Sequence, residues 1–124
     1  MRPPRPRSGS HAHQVRFQSL PQERDLVSAV RLFQALSDLT RAKVVFSLLY
    51  GERSVNEIAA AVAASPSSVS HHLRRLRDAG LVEYHRHGNQ IFYSIEDAHI
   101  SAILYEAQNH ADHRKRQQPR ATGR

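Results

Sequence analysis

Asp97, His99, His110 and His113 together offer one carboxylate and three imidazoles, the donor types that hold a borderline divalent metal through nitrogen and oxygen. The residues between them, Ala98 to Ala111, contain no Pro or Gly and are rich in Ala, Ile, Leu, Glu and Gln. They read as one helix with Asp97 at its N-cap. At ~100° per residue His99 and His110 fall within roughly 20° of one another, yet they stand about 16 Å apart along the axis at ~1.5 Å per residue. A zinc ion holds each imidazole nitrogen at about 2.1 Å, so one helix cannot close such a site. A second copy lying antiparallel across a two-fold axis can. The Asp97/His99 end of one helix then meets the His110/His113 end of the other, and two equivalent sites of three imidazoles and a carboxylate result. Taken singly, Asp97 reads as a cap and each His as a solvated surface residue. His110 and His113, at i and i+3, are helix neighbours able to share one ion.

Composition narrows the chemistry. The chain has 124 residues and no cysteine, so disulfides, thiolate metal sites and thiol redox sensing are excluded. A formal charge of +7 calls for a polyanionic partner such as nucleic acid, although Arg2, Arg5 and Arg7, and again Arg114, Lys115, Arg116, Arg120 and Arg124, place part of it in tails. No apolar run approaches the ~20 residues of a membrane span, and the start MRPPRPRSGS lacks the apolar segment of a secretory signal. The expectation is a cytoplasmic protein with no membrane partner.

The elements that must position these groups follow from periodicity. Residues 1–21, rich in Pro and Arg and without helical or strand period, read as a flexible basic arm. Leu26, Val30, Phe33 and Leu36 fall at helical spacing. Asp38 or Thr40 starts a second helix through Val44, Val45, Leu48 and Leu49 to a stop at Gly51. A third helix runs from Val55 to Ala63, with Ser54 and Glu57 as a capping box. The break Ala64-Ser65-Pro66 then leads into a fourth, through Val69, Leu73 and Leu76 to Gly80. Two short helices around a tight break make a helix-turn-helix. The segment LVEYHRHGNQIFYSI reads as a hairpin turning at His87-Gly88-Asn89, which makes a two-stranded wing. The last helix is expected to end at His113, with 114–124 a disordered basic tail. The fold class is mainly α (α+β): residues 22–113 form a winged helix-turn-helix DNA-binding domain with an N- and C-terminal helical dimerisation layer.

A DNA-reading helix needs short donors and acceptors early and cations where it meets phosphates. Ser67, Ser68, Ser70 and His71 supply the first; Arg74, Arg75 and Arg77 supply the second. His72, on the flank of the buried stripe, reads as structural. Arg86 and Asn89 beside Gly88 can reach phosphates or the minor groove. His85 and His87 have metal-binding chemistry too, but hairpin histidines are ordinarily just solvated.

The segments ALSDLTRAKVVFSLL, SVNEIAAAVAASPSSVSHHLRRLRDAGLV and GNQIFYSI resemble the ArsR/SmtB family of metal-responsive winged-helix repressors over roughly Asp25 to His113. The resemblance implies a homodimer that binds operator DNA when metal-free and releases it on metal binding, so that an efflux or detoxification gene is expressed. It also implies a branch. The Cys-x-Cys site that some members place on the helix beginning Ser54-Val55-Asn56 is absent, whereas Asp97, His99, His110 and His113 match the C-terminal-helix site position by position. Asp112 is a further ligand candidate because some members use an acidic residue there. Some nickel- and cobalt-sensing members recruit N-terminal groups, which makes His11 and His13 possible extra ligands for six-coordination. A tetrahedral set of three imidazoles and a carboxylate favours Zn(II), with Co(II) or Ni(II) as alternatives. A metallohydrolase is disfavoured because catalytic zinc keeps an open position. A metal-independent regulator of the same fold is the other reading.

Overall fold

In the computed structural model the described residues are 3 and 19–117. The chain divides between Arg31 and Leu32 into two units. The first includes most of helix α1 (Glu23–Ala35), whose opening turn carries Glu23 and Asp25 where the helix dipole favours anions. Leu26, Val27 and Val30 remain exposed along it.

All other elements belong to the second unit. Helix α2 (Leu39–Phe46) begins at Asp38, whose carboxylate accepts from the Arg41 amide at 2.9 Å. It ends at Phe46, short of the Gly51 stop that apolar periodicity suggests. The reason is local: the Ser47 hydroxyl donates to the Val44 carbonyl at 2.6 Å, and the amides of Leu48 and Leu49 turn back three residues, to Val45 and Phe46. Strand β1 (Arg53–Ser54) follows, then α3 (Val55–Val62). The capping box at the start of α3 is complete, with the Glu57 amide donating to Ser54 Oγ and the Ser54 amide donating to Glu57 Oε1.

Helix α4 (Pro66–Asp78) is joined to α3 through Ala63, a left-handed residue at φ 57°. Strands β2 (Val82–His87) and β3 (Gln90–Ile95) form the wing hairpin, in register from Val82 opposite Ile95 to His87 opposite Gln90. Gly88 at φ 63° supplies the left-handed backbone that a two-residue loop needs. The sheet has three strands in the order β1-β3-β2, so β1, which has no periodic signature, adds an antiparallel edge beside the expected pair.

Helix α5 (Ala98–Gln117) runs one turn past His113, the end expected from the basic run that follows. Arg114, Lys115 and Arg116 therefore lie in its last turn rather than in a tail, where cations complement the helix dipole. Its inward anchors are Ile100 and Leu104.

The core draws Val44, Val45 and Leu48 from around α2, Ile58 and Ala59 from α3, Val69, Leu73 and Leu76 from α4, and Leu81 and Val82 from the wing. Among the described residues its fully buried members include no aromatic side chain, with Phe46 and Tyr93 packing against it half-buried, and no polar or charged residue is fully buried. Among the described residues no helix is long and apolar enough to cross a membrane.

Candidate DNA-reading and metal-binding surfaces

Helix α4 is oriented by its own sequence. Ser65 caps it by accepting from the Ser68 amide at 3.1 Å, and Pro66 suits the first turn, where no intrahelical N–H bond is lost. Val69, Leu73 and Leu76, at i, i+4 and i+7, are completely buried, which fixes the helix's rotation. Ser67, Ser70, His71, Arg74 and Arg75 are consequently exposed, and Ser68 is half-buried at the capped turn. This places hydroxyls and an imidazole early and cations later, the arrangement a major-groove helix uses. Arg77 is also exposed, but its guanidinium lies over the Tyr84 ring, 4.2 Å from the centroid. It couples the helix to β2 rather than extending freely. In the wing, Arg86 and Asn89 are exposed on either side of Gly88.

His72 sits on the inner flank of α4, half-buried, with Nδ1 buried and without a hydrogen-bond partner among the described residues. Burial pulls its pKa below the ordinary imidazole value, against the opposing charge of Asp38. Asp38 is itself held below the usual carboxylate range, first by the backbone hydrogen bond from Arg41. The structural role expected for His72 fits this position.

At the start of α5, Asp97 Oδ1 accepts from the amides of His99 at 2.9 Å and Ile100 at 3.1 Å, which makes Asp97 the N-cap. The same oxygen lies 3.6 Å from His99 Nδ1. Donors about 2.1 Å from a tetrahedral metal stand about 3.4 Å apart, so this pair fits as half of a coordination set. The His99 side chain is 93% exposed and the Asp97 side chain 53%. His110, Asp112 and His113 are exposed at the other end of the same helix. Within one chain the two pairs are not brought together, in keeping with the axial separation of a straight helix. His11 and His13 lie outside the described residues.

Among the described residues, the one group of three or more potential metal donors is a different one: Glu52, His85 and His87. His85 Nε2 contacts Glu52 Oε1, and His87 Nε2 lies 3.4 Å from Glu52 Oε2. As hairpin residues His85 and His87 look merely solvated in the sequence, and Glu52 carries no signal there at all. No local spacing links Glu52 to residues more than 30 positions away; only the β1-β3-β2 pairing does.

Comparisons with known proteins follow the same lines. The family described as "Bacterial regulatory protein, arsR family" matches residues 38–84, from the α2 cap into β2. The HTH-type transcriptional regulator KmtR of Mycobacterium tuberculosis is 43% identical over 84 residues, which cover 68% of this chain and 65% of KmtR, just under two thirds of its length. The transcriptional repressor SmtB homolog of Synechocystis sp. is 38% identical over 103 residues, covering 81% of this chain and 77% of that protein. Among solved structures, the homodimeric winged helix-turn-helix DNA-binding domain of Mb0332 from Mycobacterium bovis superposes with a TM-score of 0.73 at 26% identity, covering 83% of this chain and 98% of that one. A capped α2, a helix-turn-helix with a buried aliphatic stripe and a wing locked to it, found with these similarities, make the chain a member of the ArsR/SmtB family of winged helix-turn-helix regulators.

Proposed function

We propose that this protein is a homodimeric metal-responsive transcriptional repressor. It binds operator DNA when metal-free and releases it on binding Zn(II), with Co(II) or Ni(II) as alternatives, so that a metal efflux or detoxification gene is expressed. The observation that carries the reading is the placement of donors on α5. Asp97 and His99 stand exposed within 3.6 Å of each other at one end, and His110 and His113 stand exposed at the other. Each pair is half a tetrahedral set, completed by the opposite pair of a second copy; Asp112, His11 and His13 are the supplementary donors for a metal that wants six ligands.

Exposed apolar side chains support the dimer: Leu26, Val27 and Val30 on α1, and Ile103 and Tyr105 on α5, are surfaces that a second copy can cover. The Mb0332 domain is homodimeric, and here a dimer would present two α4 helices to successive half-sites. Ser67, Ser68, Ser70 and His71 are assigned to base edges and nearby phosphates. Arg74, Arg75, Arg86 and Asn89 are assigned to the phosphate backbone and the adjoining groove, while Arg77, expected from sequence to join them, is held over Tyr84 and ties the helix to the wing.

An ion held between the ends of two α5 helices supplies a fixed distance between subunits. The chain's own part is to transmit that distance: α5 is anchored in the core by Ile100 and Leu104 and packs against β3 of the wing. If the fixed arrangement suits two major grooves poorly, metal and DNA oppose each other reciprocally by ~1–3 kcal/mol. The named relatives are regulators, and the donor set is filled by protein side chains, so the reading is of a regulator and not an enzyme. Acting on DNA places it in the cytoplasm.

The test is an operator-binding titration, using DNA selected from a random pool and adding Zn(II), Co(II) and Ni(II) in turn. A loss of about tenfold or more in DNA affinity with one of them is expected. DNA binding indifferent to all three leaves a metal-independent regulator of the same fold.

A further inference from the structure

The loop before β1 and the wing bring together side chains that DNA reading does not use. His85 and His87 alternate along β2 with Val82, Tyr84 and Arg86, and Val82 points into the core, so both imidazoles lie on the sheet's outer face. Their rings stand 4.8 Å apart, edge to face, and His87 also packs against Phe92, 5.3 Å away on β3. Both Nε2 atoms are aimed at the two oxygens of a single carboxylate, that of Glu52.

Glu52 is held from its C-terminal side. Arg53 Nε donates to the Ser47 carbonyl at 2.8 Å, the Ser54 amide donates to Glu57 at 2.8 Å, and Arg53 and Ser54 pair with Tyr93 and Phe92. The three side chains therefore meet through backbone order rather than by chance approach of flexible termini. Their side chains are 40–57% exposed, open enough for an ion to enter.

We propose that Glu52, His85 and His87 form a second divalent-metal site, on the outer face of the wing and independent of α5, for a borderline ion such as Zn(II) or Co(II). One ligand atom from each of the three lies within 4.8 Å of the others, and the His87–Glu52 separation of 3.4 Å already matches the edge of a tetrahedron with bonds of about 2.1 Å. Two imidazoles and a carboxylate are a nitrogen–oxygen set suited to such ions, and three protein ligands leave a fourth position to water. The imidazoles bind as neutral rings through Nε2, with the ring proton on Nδ1. A filled site ties the loop before β1 to the strand that carries Arg86, adding a cross-link toward the turn end of the wing.

The test counts metal on the full-length chain in a background where the other histidine donors are removed, H11Q/H13Q/H99Q/H110Q/H113Q. Zn(II) and Co(II) are the probes, with circular dichroism confirming the fold. That background is expected to retain one equivalent per chain, to lose it when H85Q/H87Q is added, and to bind at least tenfold more weakly with E52Q. No stoichiometric metal in the background, or an equivalent that survives H85Q/H87Q, overturns the proposal. In wild-type protein, the imidazole nitrogen signals of His85 and His87 should shift during zinc titration; unmoved signals at saturation also overturn it. The α5 reading fails separately: wild type then binds one equivalent, lost with H85Q/H87Q but not with H99Q/H110Q/H113Q.

Discussion

The guanidinium of Arg77, near the end of the DNA-reading helix, lies 4.2 Å above the ring of Tyr84 on the first wing strand. Helix and wing are thereby held as one reading head, and Tyr84 in turn leans on Tyr93, 5.9 Å away across the hairpin. A double-mutant cycle of Arg77→Ala and Tyr84→Ala should yield a coupling of about 0.5–1 kcal/mol in unfolding free energy, the range for an exposed cation over a ring. Tyr84→Ala should also weaken operator binding, by loosening the wing against the helix. Additive unfolding energies would mean that the two side chains act independently.

Asp97 caps α5, and the metal role proposed for it separates from capping by substitution. Asn caps a helix as well as Asp does, so Asp97→Asn should leave thermal stability nearly unchanged while lowering zinc affinity through loss of the carboxylate charge. Asp97→Ala removes the cap as well and should cost about 1 kcal/mol of stability. Calorimetry of the two variants, each with and without zinc, reads both effects.

His72 makes stability depend on pH. Its folded pKa lies below the ordinary value of 6.5, because burial penalises the imidazolium. The unfolded chain therefore takes up a proton first. The neutral ring's contribution is intact above the unfolded pKa and is lost as the pH falls from there through the folded pKa. Melting temperature should fall between pH 7.5 and 5.5, and His72→Gln should flatten that fall. Asp38 and Glu52, whose pKa values are lowered from 3.8 and 4.5, lose their contributions only in more acid solution. An unchanged slope in the His72→Gln variant would assign the dependence to other histidines.

Ala63 holds a left-handed backbone at the end of α3, where a Cβ costs roughly 1–2 kcal/mol. Ala63→Gly should relieve that and return part of it to the greater freedom of the unfolded chain, leaving a net gain of about 0.5–1 kcal/mol in urea denaturation. A loss of stability would show that the methyl group's packing outweighs the strain.

Much of this fold is legible in local chemistry. Ser54 with Glu57, Ser65 before Pro66, the aliphatic stripe of Val69, Leu73 and Leu76, and Gly88 at the hairpin loop each carry a mechanism that acts within a few residues. What escapes notice depends on partners distant in sequence or on competition between bonds. Strand β1 is two residues long, too short for an alternation, and exists because β3 offers it an edge. The early end of α2 comes from one serine hydroxyl turned back on the chain. The Arg114–Arg116 run resembles a solvated tail, yet its charge favours the helix end that it extends. The donors of α5 are readable because helical geometry is regular; the meeting of Glu52 with His85 and His87 is not, since it needs the strand order of the whole sheet.

The twenty-residue length of α5 has a genetic corollary. A gene copy altered at Asp97 and His99 and another altered at His110 and His113 should each be unresponsive alone. Co-expressed, they should partly rescue one another, because the mixed pair of subunits reunites one undamaged quartet. Merodiploid strains carrying both alleles and a reporter would display intragenic complementation, an outcome that a sensor with all its donors on one polypeptide could not produce.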